Sequence, residues 1–275
     1  MKRFARSGRA ELCVEDSATG TATSSDAIVC LHAGVCDKRM WAPQVDAFAA
    51  SHRVIAYDRR GFGETRAEPE PHSRVADLKT VLDDAHIQRA ALMGCSQGGR
   101  LAIDAALAHP DRVSALVLVA CSISGAPEDS NGPFEAPIGA LVAQLEDAEA
   151  RCDHEALNEL EAQAWLDGPA QPAGRVSGAL RELFLDMNGI ALARPDCGAV
   201  TDPANAWDRL DQIRVPTLIV WGSFDFPHYG PRMRALAQRI AGAQTLVMEG
   251  AAHLPGLENP TVFNPAVAAF LAARR

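Results

Sequence analysis

The sequence has no Cys-x-x-Cys pair, no apolar run long enough to cross a bilayer, and no excess of basic charge. Each absence excludes something. The seven cysteines (Cys13, Cys30, Cys36, Cys95, Cys121, Cys152 and Cys197) are odd in number and lack metal-ligand spacing, so neither a disulfide framework nor a metal site is expected. Cys30, Cys95 and Cys121 lie in or beside apolar runs and read as small buried residues. A formal net charge of −9 argues against nucleic acid or an anionic membrane as the main partner. The first residues, Met1-Lys2-Arg3-Phe4-Ala5-Arg6, are basic but no apolar stretch follows, so no secretory signal is expected and a cytoplasmic protein is the default. There is no internal repeat and no low-complexity tract.

What is present is a chain of 275 residues, 48% of them hydrophobic, enough for one large domain or a domain with an insertion. Short apolar runs at Ala27–Leu31, Arg53–Tyr57, Arg89–Met93, Val113–Val119, Pro216–Trp221 and Gln244–Met248 read as strands, with an earlier one at Ala10–Glu15. Between them Met40–Ala50, Ser73–Asp84, Gln97–His109, Arg232–Ile240 and Val262–Ala273 read as helices. Such alternation predicts a mostly parallel, doubly wound α/β sheet covered on both faces. From Cys121 to about Trp207 no strand-like run occurs. Its acidic stretch, from Glu146 to Glu161, reads as the solvated face of a helical insertion.

One short segment organises the rest. Gly94-Cys95-Ser96-Gln97-Gly98-Gly99 has the Gly-x-Ser-x-Gly spacing, after a buried strand and before a helix. The small residues are needed because the serine occupies a sharp, strained strand-to-helix turn. That turn lifts the hydroxyl clear and sets the Gln97 amide at a helix N-terminus, where it can bind an oxyanion. A serine hydroxyl needs a general base, and the base an orienting carboxylate. Asp225, after Trp221-Gly222-Ser223-Phe224, and His253, after Gly250-Ala251-Ala252, lie just past the ends of late strands. Ser96, Asp225, His253 is the chain order expected for this motif. Asp202, Asp208 and Asp129 are alternative acids if the sheet is wired differently. Asp58 and Arg59 read as braces of their own turn, and His32 as a packing residue.

With these residues in place the chain resembles the α/β-hydrolase superfamily over nearly its whole length. The resemblance rests on His32-Ala33-Gly34, Asp58-Arg59-Arg60-Gly61-Phe62-Gly63, the Ser96 turn, Pro216 through Asp225, and His253-Leu254-Pro255-Gly256-Leu257-Glu258. It implies Ser96 as nucleophile, His253 as base and Asp225 as orienting acid. It also implies a core of residues 1–121 and 208–275 with a helical cap at 122–207. Ala33 stands where the superfamily commonly has glycine, so either Gly34 or Val35 would complete the oxyanion hole with Gln97. Met40-Trp41-Ala42-Pro43-Gln44-Val45 and the Ser96 region are similar to 3-oxoadipate enol-lactonases and small esterases. The implied activity is cofactor-free hydrolysis of a small-molecule ester or lactone. Trp165, Phe184, Met187 and Trp207, all in the cap, are the candidates for lining the substrate pocket. C–C bond hydrolysis, perhydrolysis, a lyase reaction and non-catalytic ligand binding are the alternatives on the same residues. A homo-oligomer is compatible with the sequence.

Overall fold

Strands flanked by polar residues but apolar at every position can only be satisfied by burial on both faces. Among the described residues three strands fit this, Thr217 at the start of one being their single polar side chain. In the structure, a computed structural model that describes residues 1–17, 27–127 and 134–273, β3 (Ala27–Leu31), β6 (Ala90–Cys95) and β8 (Thr217–Gly222) are buried at every residue. They sit inside a nine-stranded sheet with β1 (Lys2–Ser7), β2 (Ala10–Asp16), β4 (Arg53–Tyr57), β5 (Arg66–Ala67), β7 (Val113–Val119) and β9 (Gln244–Met248). The order is β1-β2-β4-β3-β6-β7-β8-β9, with β5 pairing β2. From β4 to β9 every pairing is parallel; β1, β2 and β5 are antiparallel.

Helices cover both faces. Val75, Leu78, Val81 and Leu82 of α2 (Arg74–Asp84), Leu101 and Ile103 of α3 (Gln97–Ala108), and Met233 and Leu236 of α7 (Tyr229–Arg239) pack in one core. Phe48 of α1 (Ala42–Phe48) and Phe263, Val267 and Phe270 of the C-terminal helix Pro260–Ala272 pack in the other. The Ser73 side chain caps α2 by accepting from the Ala76 amide at 3.0 Å. This is the doubly wound sheet the sequence predicts. The basic N-terminus, read only as lacking a signal, forms the edge strand β1, which turns at Gly8 (φ +54°). Its exposed, charged side chains suit an edge and carry no apolar pattern.

Between β7 and β8 the described chain is helical: α4 (Ile138–Ala150), α5 (His154–Glu161), a π-helical turn at Ala162–Asp167 and α6 (Ala179–Leu192). Glu146, Asp147, Glu149, Glu155 and Glu159 are exposed, as a solvated face requires. Glu161 differs: it is half-buried, accepts from Asn188 Nδ2 at 2.6 Å, and burial pushes its carboxyl upward. Near the end of this segment Val200 forms an isolated parallel bridge with His72, the one extended pairing the sequence does not signal there. Among the described residues no helix is long and apolar enough to cross a membrane.

Candidate active site

Ser96 joins β6 to α3 with φ +52° and ψ −116°. This is a strained conformation for a residue with a Cβ, and such strain persists only where the surroundings hold it. They do: the Ser96 amide donates to the Val119 carbonyl at 2.8 Å, and its carbonyl accepts from Arg100 at 3.1 Å and Ser122 at 3.2 Å. The glycines around it are sterically required. A Cβ on Gly94 would lie 2.3 Å from the Gly98 carbonyl oxygen, and one on Gly98 would lie 2.1 Å from that of Leu31.

Two loops from the far half of the chain meet here. A Cβ on Gly222 would lie 2.0 Å from the Ala252 carbonyl oxygen, so the end of β8 and the loop after β9 touch backbone to backbone. The Phe224 amide donates to the Ala251 carbonyl at 2.9 Å. Asp225 and His253, 28 residues apart, are thereby paired: His253 Nδ1 lies 2.8 Å from Asp225 Oδ2, and both side chains are 2% exposed. Asp225 Oδ1 accepts from the Phe226 amide at 2.8 Å. The pairing suits a proton on Nδ1 directed at the carboxylate, which makes Nε2 the acceptor nitrogen of the ring. The Cys95 thiol lies 3.6 Å from the His253 carbonyl oxygen, which ties the Ser96 turn to the same loop.

The alternative acids are elsewhere. Asp202 accepts from the Ser73 hydroxyl and, at 2.7 Å, from the Arg74 amide, at the start of α2. Asp208 is exposed in a 3₁₀ turn, Ala206–Gln212, and Asp129 lies outside the described residues.

On the other side of Ser96 runs the loop after β3. A Cβ on Gly34 would lie 2.6 Å from Gln97 Nε2, so Gly34 and Gln97 are in contact. No hydrogen bond within the described residues claims the Gly34 or Val35 amide, whereas the Ala33 amide points to Met40 Sδ at 3.3 Å and that of Cys36 to the Ala33 carbonyl at 3.3 Å. Gln97 opens α3, where its amide has no intrahelical acceptor. Behind the loop lies Arg59. Its Nη1 donates to Gln97 Oε1 at 3.1 Å, and its Nη2 to the carbonyls of His32 at 3.1 Å and Ala33 at 3.3 Å. Arg59 thus grips both stretches that carry the candidate oxyanion donors. The turn is braced by Asp58, which accepts from Lys38 Nζ at 2.9 Å and the Glu64 amide at 2.8 Å. His32 is buried; its Nε2 accepts from the Arg59 amide at 3.0 Å, and burial with the neighbouring Arg59 charge drives its pKa well down. It is a neutral packing group.

Of the four pocket candidates, Trp165 alone touches His253: its ring is 4.7 Å from the His253 ring, and its carbonyl accepts the His253 amide at 3.3 Å. Phe184 and Met187 are fully buried in the core shared with Met40, Trp41 and Leu254. Trp207 packs against the opposite core under the Arg239 guanidinium, 4.4 Å away, and is not brought to His253. Tyr229, which the sequence reading passed over, stands edge-on to the His253 ring at 4.8 Å. Glu258 accepts from the Ala252 amide at 2.8 Å and from Arg175. Its only sequence signal is its place five residues after His253. By distance, Cys13, Asp58 and Glu64 could hold a metal, but the Lys38 ammonium already bonds Asp58 and Glu64, each at 2.9 Å.

A profile of the Alpha/beta hydrolase family matches residues 28–266. A Bacillus subtilis (strain 168) protein, provisionally named a 2-succinyl-6-hydroxy-2,4-cyclohexadiene-1-carboxylate synthase, is 28% identical over 261 residues, 90% of this chain and 91% of that protein. The 2-hydroxy-6-oxononadienedioate/2-hydroxy-6-oxononatrienedioate hydrolase of Paraburkholderia phymatum is 30% identical over 79% of this chain and 76% of its own length. Among solved structures, the enol-lactonase of Burkholderia xenovorans LB400 superposes with a TM-score of 0.76 at 25% identity, over 98% of this chain and 99% of that one.

Proposed function

The chain belongs to the alpha/beta hydrolase family, and we propose that it is a serine hydrolase cleaving a carboxylic ester or lactone of a small to medium, partly apolar substrate. The observation that carries this reading is the buried Asp225–His253 pair at 2.8 Å, tied through Cys95 to a serine at φ +52°. Ser96 Oγ attacks the carbonyl carbon while His253 Nε2 takes its proton. The tetrahedral oxyanion is held by the Gln97 amide and that of Gly34 or Val35. Collapse breaks the C–O bond, and the leaving alkoxide takes the proton from His253. A water that gives its proton to His253 then attacks the acyl-enzyme, and the acid leaves with Ser96 restored. Asp225 stabilises the imidazolium formed in each half. No step calls on a metal or a cofactor.

The segment 122–207 serves in this reading as a cap over the core of residues 1–121 and 208–275. Support comes from Trp165, which the segment lays against His253. C–C bond hydrolysis or a lyase reaction through the same residues is the second reading, favoured by the names of the Paraburkholderia and Bacillus relatives.

The test is turnover of p-nitrophenyl esters of increasing chain length alongside a set of lactones, with a fluorophosphonate to label the nucleophile. We expect hydrolysis of the short esters and a single phosphonylated peptide containing Ser96. A folded protein that turns over no ester or lactone, or that is labelled elsewhere, overturns the reading.

A further inference from the structure

Next to the Arg59 side of the site is a cavity of about 280 Å³. Its lining includes four arginines, Arg59, Arg60, Arg74 and Arg194, with Tyr57 and two carboxylates, Asp77 and Asp196, the latter accepting from the Gly198 amide at 3.0 Å. Arg60 is neutralised by Asp77 at 2.8 Å and Glu70 at 2.7 Å. Arg59 is not. It is 4% exposed, and the charged and titrating groups that act on it are Arg74, Tyr57 and Cys36, none of them a carboxylate. Arg74, half-buried at the start of α2, likewise has no ion-pair partner within the described residues. The Arg100 charge opposes it, and of the two carboxylates that favour its charge, Asp202 is spent on backbone amides and Ser73, and Asp104 on Ser124 and Arg100. Among the described residues, two donors on the cavity wall are buried without an acceptor: Arg59 Nε and the Tyr57 hydroxyl.

A buried cation with an unfilled donor is unfavourable unless something completes it. The unpaired positive charge also stands out in a protein of net charge −9. Burial, helped by Arg74, pushes Arg59 down to about 9, which leaves it charged at neutral pH. We propose that this cavity binds a small oxyanion, a carboxylate or a phosphate, between Arg59, Arg74 and the Tyr57 hydroxyl. The Arg74 fork, the Arg59 Nε and the Tyr57 hydroxyl suit the two or three acceptor oxygens of such a group. The occupant is either the acidic arm of the substrate or a free anion. Only the first of these rests on the hydrolase reading above. Arg59 also holds Gln97 and the loop after β3, so the occupant is coupled to the donors proposed for the oxyanion.

The experiment titrates inorganic phosphate and succinate into the full chain at constant ionic strength, with chloride as the control, by calorimetry and thermal shift. Saturable binding of either, beyond chloride, is expected, and Arg74→Gln should weaken it tenfold or more. Arg194→Gln, on the exposed rim, gives a second variant if Arg74→Gln does not fold. No saturable binding by the folded wild type, or unchanged binding in both folded variants, overturns the site. Hydrolysis of methyl butyrate and of monomethyl succinate separates the two sources. If the occupant is the substrate's acidic arm, phosphate competes with monomethyl succinate, and Arg74→Gln raises its KM tenfold or more relative to methyl butyrate. If it is a free anion, phosphate changes the methyl butyrate rate without competing. Absence of turnover in both assays counts against the hydrolase reading and leaves the binding result standing.

Discussion

Ser96 stands between two walls of opposite make-up. On one side the loops after β8 and β9, with Trp165 of the π-helical turn Ala162–Asp167, bring Asp225, His253, Phe226 and Tyr229 together, a carboxylate and an imidazole packed among aromatic rings. On the other, Arg59, Gln97 and the glycine-bearing loop after β3 meet with no carboxylate against the guanidinium. Acyl transfer separates charge in the same sense. A proton moves to the base, where a positive ring needs a nearby anion, while negative charge grows on the carbonyl oxygen, where fixed donors and positive charge stabilise it. A serine placed between two acidic or two basic walls would have only half of this. The proposed mechanism therefore depends on the contrast between the walls, and each wall can be altered on its own.

The largest effect should come from the residue between them. Ser96→Ala is expected to fold and to lose about 10⁴-fold or more in kcat, because members of such a unit fail together. Single-turnover kinetics on a p-nitrophenyl ester measure this. A folded variant that keeps a tenth of the wild-type rate would show that the walls do not serve Ser96.

The proton-accepting wall comes next. Asp225→Asn keeps the size of the side chain but removes the charge that favours the Nδ1 proton on His253, so kcat should fall on the order of 10²–10⁴-fold with the fold intact. If Asp202→Asn has that effect and Asp225→Asn does not, the acid lies outside this wall.

The two walls also differ in how far the sequence discloses them. β3, β4, β7 and β9 have the same limits in sequence and structure, since strands in a parallel sheet are apolar runs with polar ends. Asp225 and His253 could be singled out because each directly follows such a strand. Arg59 could not be read this way. The sequence reads it as a brace of its own turn, whereas its side chain reaches Gln97, 38 residues later, and the His32 and Ala33 carbonyls. Trp207 shows the converse limit: its bulk says that it packs, but not that Arg239 and the far core are its neighbours.

The anion-holding wall should show a smaller effect through Arg59. It touches no reacting atom in the proposed mechanism and acts by holding Gln97 and the His32 and Ala33 carbonyls. Loss of a direct oxyanion donor costs about 10²–10³ in kcat; Arg59→Lys, which keeps charge but loses the fork, should cost roughly tenfold. For a neutral ester such as methyl butyrate, which has no acidic arm, the loss should fall on kcat with KM little changed. Equal rises in KM with kcat unaltered would make Arg59 a general binding or packing residue instead.

The smallest effect sharpens the first wall. Glu258 accepts from the Ala252 amide at 2.8 Å and ties this stretch to Arg175, which also bonds the Leu166 carbonyl at 2.8 Å and that of Gly250 at 3.1 Å. It therefore positions the loop that carries His253. Burial pushes the Glu258 carboxyl up, and Arg175 offsets this only in part. For an acid raised on folding, the protonated form is the one the fold favours. The associated stability is present below the ordinary carboxylate range and is lost as pH rises through the raised value. Glu258→Gln removes the charge, so the variant should melt no lower than wild type at neutral pH, and any advantage should shrink on acidification. Its kcat/KM should fall by less than about tenfold, the worth of an ordinary hydrogen bond. In wild type, protonation of Glu258, favoured by its burial, releases Arg175 and adds an ionisation to the acid limb of kcat/KM; in the variant that ionisation should be gone. An acid limb identical in the two proteins would separate Glu258 from the positioning of His253.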